Sequence, residues 1–152
     1  DVLSQVDSIK DCVEFIGKIN KHIAYMQIPI NFFDSNTTGE LYILKKDKKR
    51  RGIDPSNVTV FLSVNTKNLG QIESLIIIDK KNMSLNIGLE HGGAIDLFKE
   101  SFSGLYNGLR KIGYRLIGIK YRIISEKINI LNIKDVLKDE IAISSQTFDC
   151  KI

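Results

Sequence analysis

Two hydrophobic periods meet near residue 90, and together they restrict the chain to a fold in which a helix lies on a sheet. Upstream, Val58, Val60, Leu62 and Val64 alternate with Thr59, Phe61, Ser63 and Asn65; Met83, Leu85, Ile87 and Leu89 alternate with Ser84, Asn86, Gly88 and Glu90. A period of two sends successive side chains to opposite faces of a strand. Between these runs, residues 71–79 end in Leu75-Ile76-Ile77-Ile78, apolar on both faces, as in a central strand covered from both sides. The connections Thr66-Lys67-Asn68-Leu69-Gly70 and Asp79-Lys80-Lys81-Asn82 are short and polar, so the three strands form an antiparallel meander. Downstream, Ile95, Phe98, Phe102, Leu105, Leu109 and Ile112 step by three and four, the stripe of a single helix. Gly113 follows it, where a left-handed C-cap falls. Residues 114–124 return to a period of two, with Ile117, Ile119, Tyr121 and Ile123 on one face. A right-handed crossover is then expected to bring this fourth strand back beside the first, parallel to it.

The flanks extend this core. Residues 2–26 predict a helix, because Val2, Val6, Ile9, Val13, Ile16, Ile19 and Ile23 share one face and Asp7, Lys10, Glu14, Lys18 and Lys21 the other. Pro29 ends it, lacking an N–H and disfavouring helix in the residue before. Ile28-Pro29-Ile30-Asn31-Phe32-Phe33 and Glu40-Leu41-Tyr42-Ile43-Leu44 flank turn formers, an irregular hairpin with its proline strand at an edge. Ser101, Gly104 and Gly108 make a small-residue stripe on the second helix. Glycine inside a helix costs about 1 kcal/mol relative to alanine, which close approach of a neighbour would offset. The helix over 2–26 is the expected neighbour, and a shallow docking groove is the alternative. Asn132 is placed to cap a short helix over 133–138, and residues 147–152 to add a terminal strand. The expected fold class is α+β with two layers: a three-stranded antiparallel meander, a crossover helix and a fourth strand, with an extra N-terminal helix and hairpin. The expected divisions are 1–57 for helix, hairpin and basic loop, 58–124 for the core domain, and 125–152 for the tail.

Composition excludes several classes. Apolar runs such as Leu75-Ile76-Ile77-Ile78 fall far short of the ~18 residues that span a membrane. Two cysteines, Cys12 and Cys150, in 152 residues are too few for a disulfide scaffold and fit reduced thiols in the cytoplasm. The chain opens on Asp1 without a leader pattern, as expected for a piece or processed form of something longer. The net charge of +4 is concentrated in Lys45-Lys46-Asp47-Lys48-Lys49-Arg50-Arg51, and the rest of the chain is close to neutral. The basic run is expected to be a solvated loop, with an acidic partner or nucleic acid as alternatives. His22 and His91 have no nucleophile or acid at a spacing that names a triad, and no phosphate loop, dinucleotide fingerprint, zinc-helix motif or C-x-x-C is present. No catalytic, metal-ligating or cofactor-binding residue is therefore assigned. Glu90, Asp96 and Glu100 surround a helix start, where carboxylates suit the helix dipole. With no Trp, and Phe61 alone among aromatics in the meander, a stacking platform for single-stranded nucleic acid is lacking.

Three further segments share a known order. Phe61-Leu62-Ser63-Val64-Asn65-Thr66-Lys67-Asn68-Leu69-Gly70-Gln71-Ile72 runs from an apolar strand through a short polar turn to Leu-Gly, then a polar and an aliphatic residue. Phe102-Ser103-Gly104-Leu105-Tyr106-Asn107-Gly108-Leu109 meets the pattern L-x-x-L-x-x-x-L, and Gly113-Tyr114-Arg115-Leu116 meets Gly-x-x-Leu before the last strand. Over residues 60–123 the chain thereby resembles the C-terminal domain of bacterial flagellar hook-length control proteins, and residues 28–42 are similar to the region before that domain in clostridial-type members. It departs at Thr66 and Ser103, where the family usually has Pro, and at Asp96, where a basic residue is common.

The resemblance implies a non-enzymatic interaction module without cofactor or metal. In that family the protein is exported through the flagellar type III apparatus and also acts in the cytoplasm. Its C-terminal domain contacts the cytoplasmic domain of the export-gate switch protein, and export changes from rod-and-hook to filament-type subunits. Hook or hook-cap proteins would be further partners. The partner-binding residues expected here are Leu69, Gly70, Ile72 and Leu105. Gly70 is expected in a turn with positive φ. Leu69 stands among Lys67, Asn68 and Gln71 and is either an exposed contact or the plug of one end of the core. Ile72 and Leu105 are expected to be buried. The alternatives are a small nucleic-acid-binding domain using the loop 45–51, whose affinity would fall steeply with salt, and an unrelated α+β protein with an enzymatic pocket.

Overall fold

The computed structural model describes residues 23–32, 35–45, 52–129, 132, 133 and 135–138. The elements are β1 (Ile23–Phe32), β2 (Ser35–Lys45), β3 (Asn57–Thr66), β4 (Gly70–Asp79), β5 (Asn82–Leu89), α1 (Gly93–Glu100), α2 (Phe102–Lys111) and β6 (Arg115–Ile123). All six strands join one sheet in the order β1-β2-β3-β4-β5-β6. The expected three-stranded meander with an appended hairpin is thus corrected to a six-stranded mixed sheet. The meander is present as β3, β4 and β5, but β2 pairs with β3 from Gly39↔Val64 to Lys45↔Val58, so the hairpin continues the sheet. An exposed meander edge would leave backbone donors and acceptors unpaired, and β2 satisfies them.

Two further expectations change. Helix was expected as far as residue 26, yet residues 23–26 are the start of β1, paired from Ile23↔Leu44 to Met26↔Leu41; the rest of that prediction, residues 2–22, lies outside the described residues. So do residues 46–51 of the basic run, Cys12, Cys150, His22 and the strand expected over 147–152. β6 was expected beside β3 and instead lies beside β5, parallel to it. With β2 on one side of β3 and β4 on the other, β5 offers the free edge. The pairing shifts between Met83↔Leu116 and Ser84↔Gly118, so Leu116 takes the buried face and Ile117 is left exposed. That bulge breaks the single face expected for Ile117, Ile119, Tyr121 and Ile123.

Each face of the sheet carries a core. On one face Ile23, Tyr42, Phe61 and Leu75 are roofed by Ile128, Ile133 and Leu137 of the chain after β6. There the carbonyl of Asn132 accepts from the N–H groups of Asp135 and Val136, opening a helical segment through residues 133 and 135–138. The Asn132 side chain accepts instead from the Asn129 N–H at 2.8 Å. On the other face α1 and α2 cover Met83, Leu85, Ile87 and Leu89. The helix expected as one piece is divided at Ser101. The bonds Ser101 N–H to Leu97 O and Leu105 N–H to Ser101 O bridge the division. Its inward stripe is Ile95, Phe98, Phe102, Tyr106 and Leu109. Tyr106, its ring 5.9 Å from that of Phe102, occupies the place expected of Leu105. Gly113, at φ +89°, ends the helix. Its N–H reaches Arg110 O and the Tyr114 N–H reaches Leu109 O, the paired bonds of a Schellman cap.

Candidate partner-binding surface

Three of the four expected contact residues come together at the β3–β4 turn. Thr66 organises it: its Oγ1 accepts from the Leu69 N–H at 3.1 Å and donates to Gly70 O at 3.0 Å. Gly70 stands at φ +70°, a conformation that costs an L-residue about 1–2 kcal/mol. A second constraint acts on the same residue, because a Cβ built there would collide with the Glu90 carboxylate. That carboxylate accepts from the Gln71 N–H at 2.7 Å while the Glu90 N–H donates to Gln71 O. Glu90, first assigned to the helix dipole, is therefore the clamp between the β3–β4 turn and the exit of β5. The Gln71 hydrogen bond holds its carboxyl below the ordinary 4.5. Leu69 and Ile72 are half-buried and pack on the core of Ile87, Leu89 and Ala94 beneath α1, so Leu69 plugs the end of that core and shows its remaining surface at the rim.

Leu105 lies elsewhere. It is 39% exposed on α2, outside all three cores, and the expectation that it is buried is corrected. The structure thus brings Leu69, Gly70 and Ile72 together and sets Leu105 apart on the helix flank. Around it Gly104 and Gly108 have no described atom within 4 Å of a built Cβ, and Leu97 and Ile112 are also exposed.

The most buried charge among the described residues was not anticipated from the sequence. Glu73 on β4 is 0% exposed. Its Oε2 accepts from Arg122 Nη2 on β6 at 2.7 Å, and its Oε1 from the Ile128 N–H at 3.3 Å. Gly88 on β5 lies between the two, paired with both Glu73 and Arg122. A Cβ at Gly88 would stand 2.9 Å from Arg122 Cζ, so the missing side chain is the gap through which the guanidinium crosses β5. The sequence signal was an isolated glycine in an alternating strand, which marks close approach. This clasp fastens the roofing segment to the sheet. Toward the other edge, Glu40 accepts from the phenols of Tyr25 and Tyr42. Burial first, then that carboxylate, pushes the Tyr42 phenol far up.

A shallow concavity near the end of the β1–β2 hairpin where the two strands connect, about 490 Å³, is lined by Pro29, Ile30, Asn31, Asn36, Thr37 and Thr38, none of them titratable. Among the described residues no three His, Cys, Asp or Glu side chains gather into a metal site. His91 is exposed ahead of α1. No helix among them is long and apolar enough to cross a membrane. The chain matches no family model, and no curated protein or solved structure is significantly similar to it.

Proposed function

We propose that residues 58–124 form an interaction module of the flagellar hook-length control type, non-enzymatic, which contacts the cytoplasmic domain of a type III export-gate switch protein and changes export specificity when the hook is complete. The supporting observation is where the shared motif positions fall. Leu69-Gly70 makes the β3–β4 turn with Gly70 at positive φ, the L-x-x-L-x-x-x-L run lies on α2, and Gly113 caps that helix before β6. Gly70 and Gly113 thus stand where the backbone calls for glycine. The contact surface in this proposal is the rim at Leu69, Gly70 and Ile72 together with the separately exposed Leu105. The module acts in the cytoplasm, with the full-length protein exported through the flagellar apparatus.

The test is calorimetric titration of the chain with the switch protein's cytoplasmic domain at two salt concentrations, alongside export switching in cells lacking the native protein. Leu105→Arg changes an exposed side chain and is expected to keep stability within ~0.5 kcal/mol while weakening binding and switching. Absence of binding by the unaltered chain, or steep salt-dependent binding to nucleic acid instead, would reject the proposal.

A further inference from the structure

One end of the sheet gathers cations. Pairing sets Asn57, Asp79, Asn82 and Arg115 level with one another at that end, and Thr66 and Gly70 at the other. Lys45 is the last residue of β2, Lys80 and Lys81 form the β4–β5 turn, Arg110 and Lys111 finish α2, and Arg115 starts β6. Local contacts draw the turn and the helix terminus together. The Arg115 N–H donates to Lys81 O, and Lys81 Nζ stands 5.6 Å from the centre of the Tyr114 ring. All of these cations except Lys45 are exposed, and none is ion-paired with a described carboxylate. The described carboxylates at this end are Asp54 and Asp79, and Asp54 accepts from the Ser56 N–H and hydroxyl. An exposed aliphatic residue stands among the cations. Ile112, directly after Lys111, is 67% exposed, the most of any large hydrophobic side chain among the described residues. The cap bonds Gly113 N–H to Arg110 O and Tyr114 N–H to Leu109 O hold the backbone on either side of it. Ile53, before the turn closed by the Asn57 N–H on Asp54 O, is exposed at the same end.

We propose that this end of the sheet docks on the surface of an anionic lipid bilayer, with Lys80, Lys81, Arg110, Lys111 and Arg115 at the headgroups and Ile112 entering the acyl boundary. A basic cluster or a small apolar insertion alone attaches weakly, whereas the two together supply the pair of signals that peripheral attachment needs. Nucleic acid would match the cations and give Ile112 no apolar neighbour. A peptide fits a groove or a free strand edge, but this surface is made of turns and a helix terminus; the concavity beside Pro29 lies at the other end. The rim at Leu69, Gly70 and Ile72 also lies at the other end, and Leu105 stands about two turns of α2 from Ile112, so docking leaves both exposed. The inference does not rest on the proposed function.

The chain contains no Trp, so Ile112→Trp makes a single fluorescent reporter in the full chain. Leu97→Trp, at an exposed position on α1, is the control. The probes are vesicles of phosphatidylglycerol with phosphatidylcholine, and vesicles of phosphatidylcholine alone. The unaltered chain is expected to sediment with the anionic vesicles and not with the neutral ones. On the anionic vesicles the Ile112→Trp emission should move to shorter wavelength and be quenched by lipids brominated on their acyl chains, with Leu97→Trp unchanged. Arg110→Gln with Lys111→Gln, with the fold verified by circular dichroism, should weaken vesicle binding roughly 30-fold. No binding to anionic vesicles, binding without quenching of Ile112→Trp, equal quenching of Leu97→Trp, or undiminished binding by the double variant would each overturn the proposal. Tighter binding to duplex DNA than to the anionic vesicles would assign the cations to nucleic acid and overturn it as well.

Discussion

Gly70 and Glu90 show how little side-chain chemistry fixes the β3–β4 turn. Gly70→Ala meets both an unfavourable φ and the Glu90 carboxylate, so chemical denaturation should show a loss of at least about 1–2 kcal/mol. Glu90 also makes the turn sensitive to acid. Its carboxyl titrates below 4.5 in the folded chain, so the folded pKa is depressed relative to the unfolded. Its contribution is present above the unfolded pKa and is lost as pH falls through the folded one. The Gln71 amide resonance should therefore shift with a midpoint below 4.5, and Glu90→Gln should remove that step. Leu69→Ala is expected to cost about 2 kcal/mol, the lower end for a truncated leucine, because its side chain is only half-buried.

At the scale of elements, the ion pair across Gly88 joins β4, β5 and β6. Removing one partner of a buried pair strands the other charge, so Arg122→Ala should lose about 3–5 kcal/mol by urea unfolding, and the double change Glu73→Leu with Arg122→Leu much less. A double-mutant cycle measures the coupling. The pair was beyond sequence reasoning, since its members stand 49 residues apart and Glu73 occupies a place in β4 that a solvated residue would fill equally well. The meander was legible because strands β3 and β5 alternate over their full length. The later half of β1, from Ile28, was legible as a hairpin strand, but its start was not, because Ile23 continues the three-and-four spacing from Ile19 while its backbone pairs with Leu44, so long-range pairing overrode a local period. Leu105 and Tyr106 show the same ambiguity on a smaller scale. Either completes a helical stripe, and packing on Phe102 decides for the tyrosine. Of the four expected contact residues, the turn trio was readable from Leu-Gly between two strand patterns. Leu105 was misjudged because hydrophobicity alone does not say which flank of a helix the sheet will meet.

Across the whole molecule, the sheet follows chain order from β1 to β6, and the roof over its first face arrives last. Ile128, Ile133 and Leu137 are each no more than 4% exposed, worth about 1.5–3 kcal/mol apiece. Together these approach the ~5–15 kcal/mol stability of an ordinary domain. A chain ending at Ile124 should therefore lack a cooperative thermal transition. The order of arrival also governs time. Every antiparallel strand pairing joins neighbours in sequence, whereas the bonds from Glu73 to Arg122 and Ile128 span 49 and 55 residues. Their loop-closure cost places them late on the folding path, with the Glu73 carboxylate still hydrated when the barrier is crossed. Arg122→Ala should then leave the refolding arm of a chevron almost unchanged and steepen the rate of escape from the native state. The clasp across β5 thus acts as a brake on unfolding, lengthening the lifetime of a sheet that forms equally fast without it.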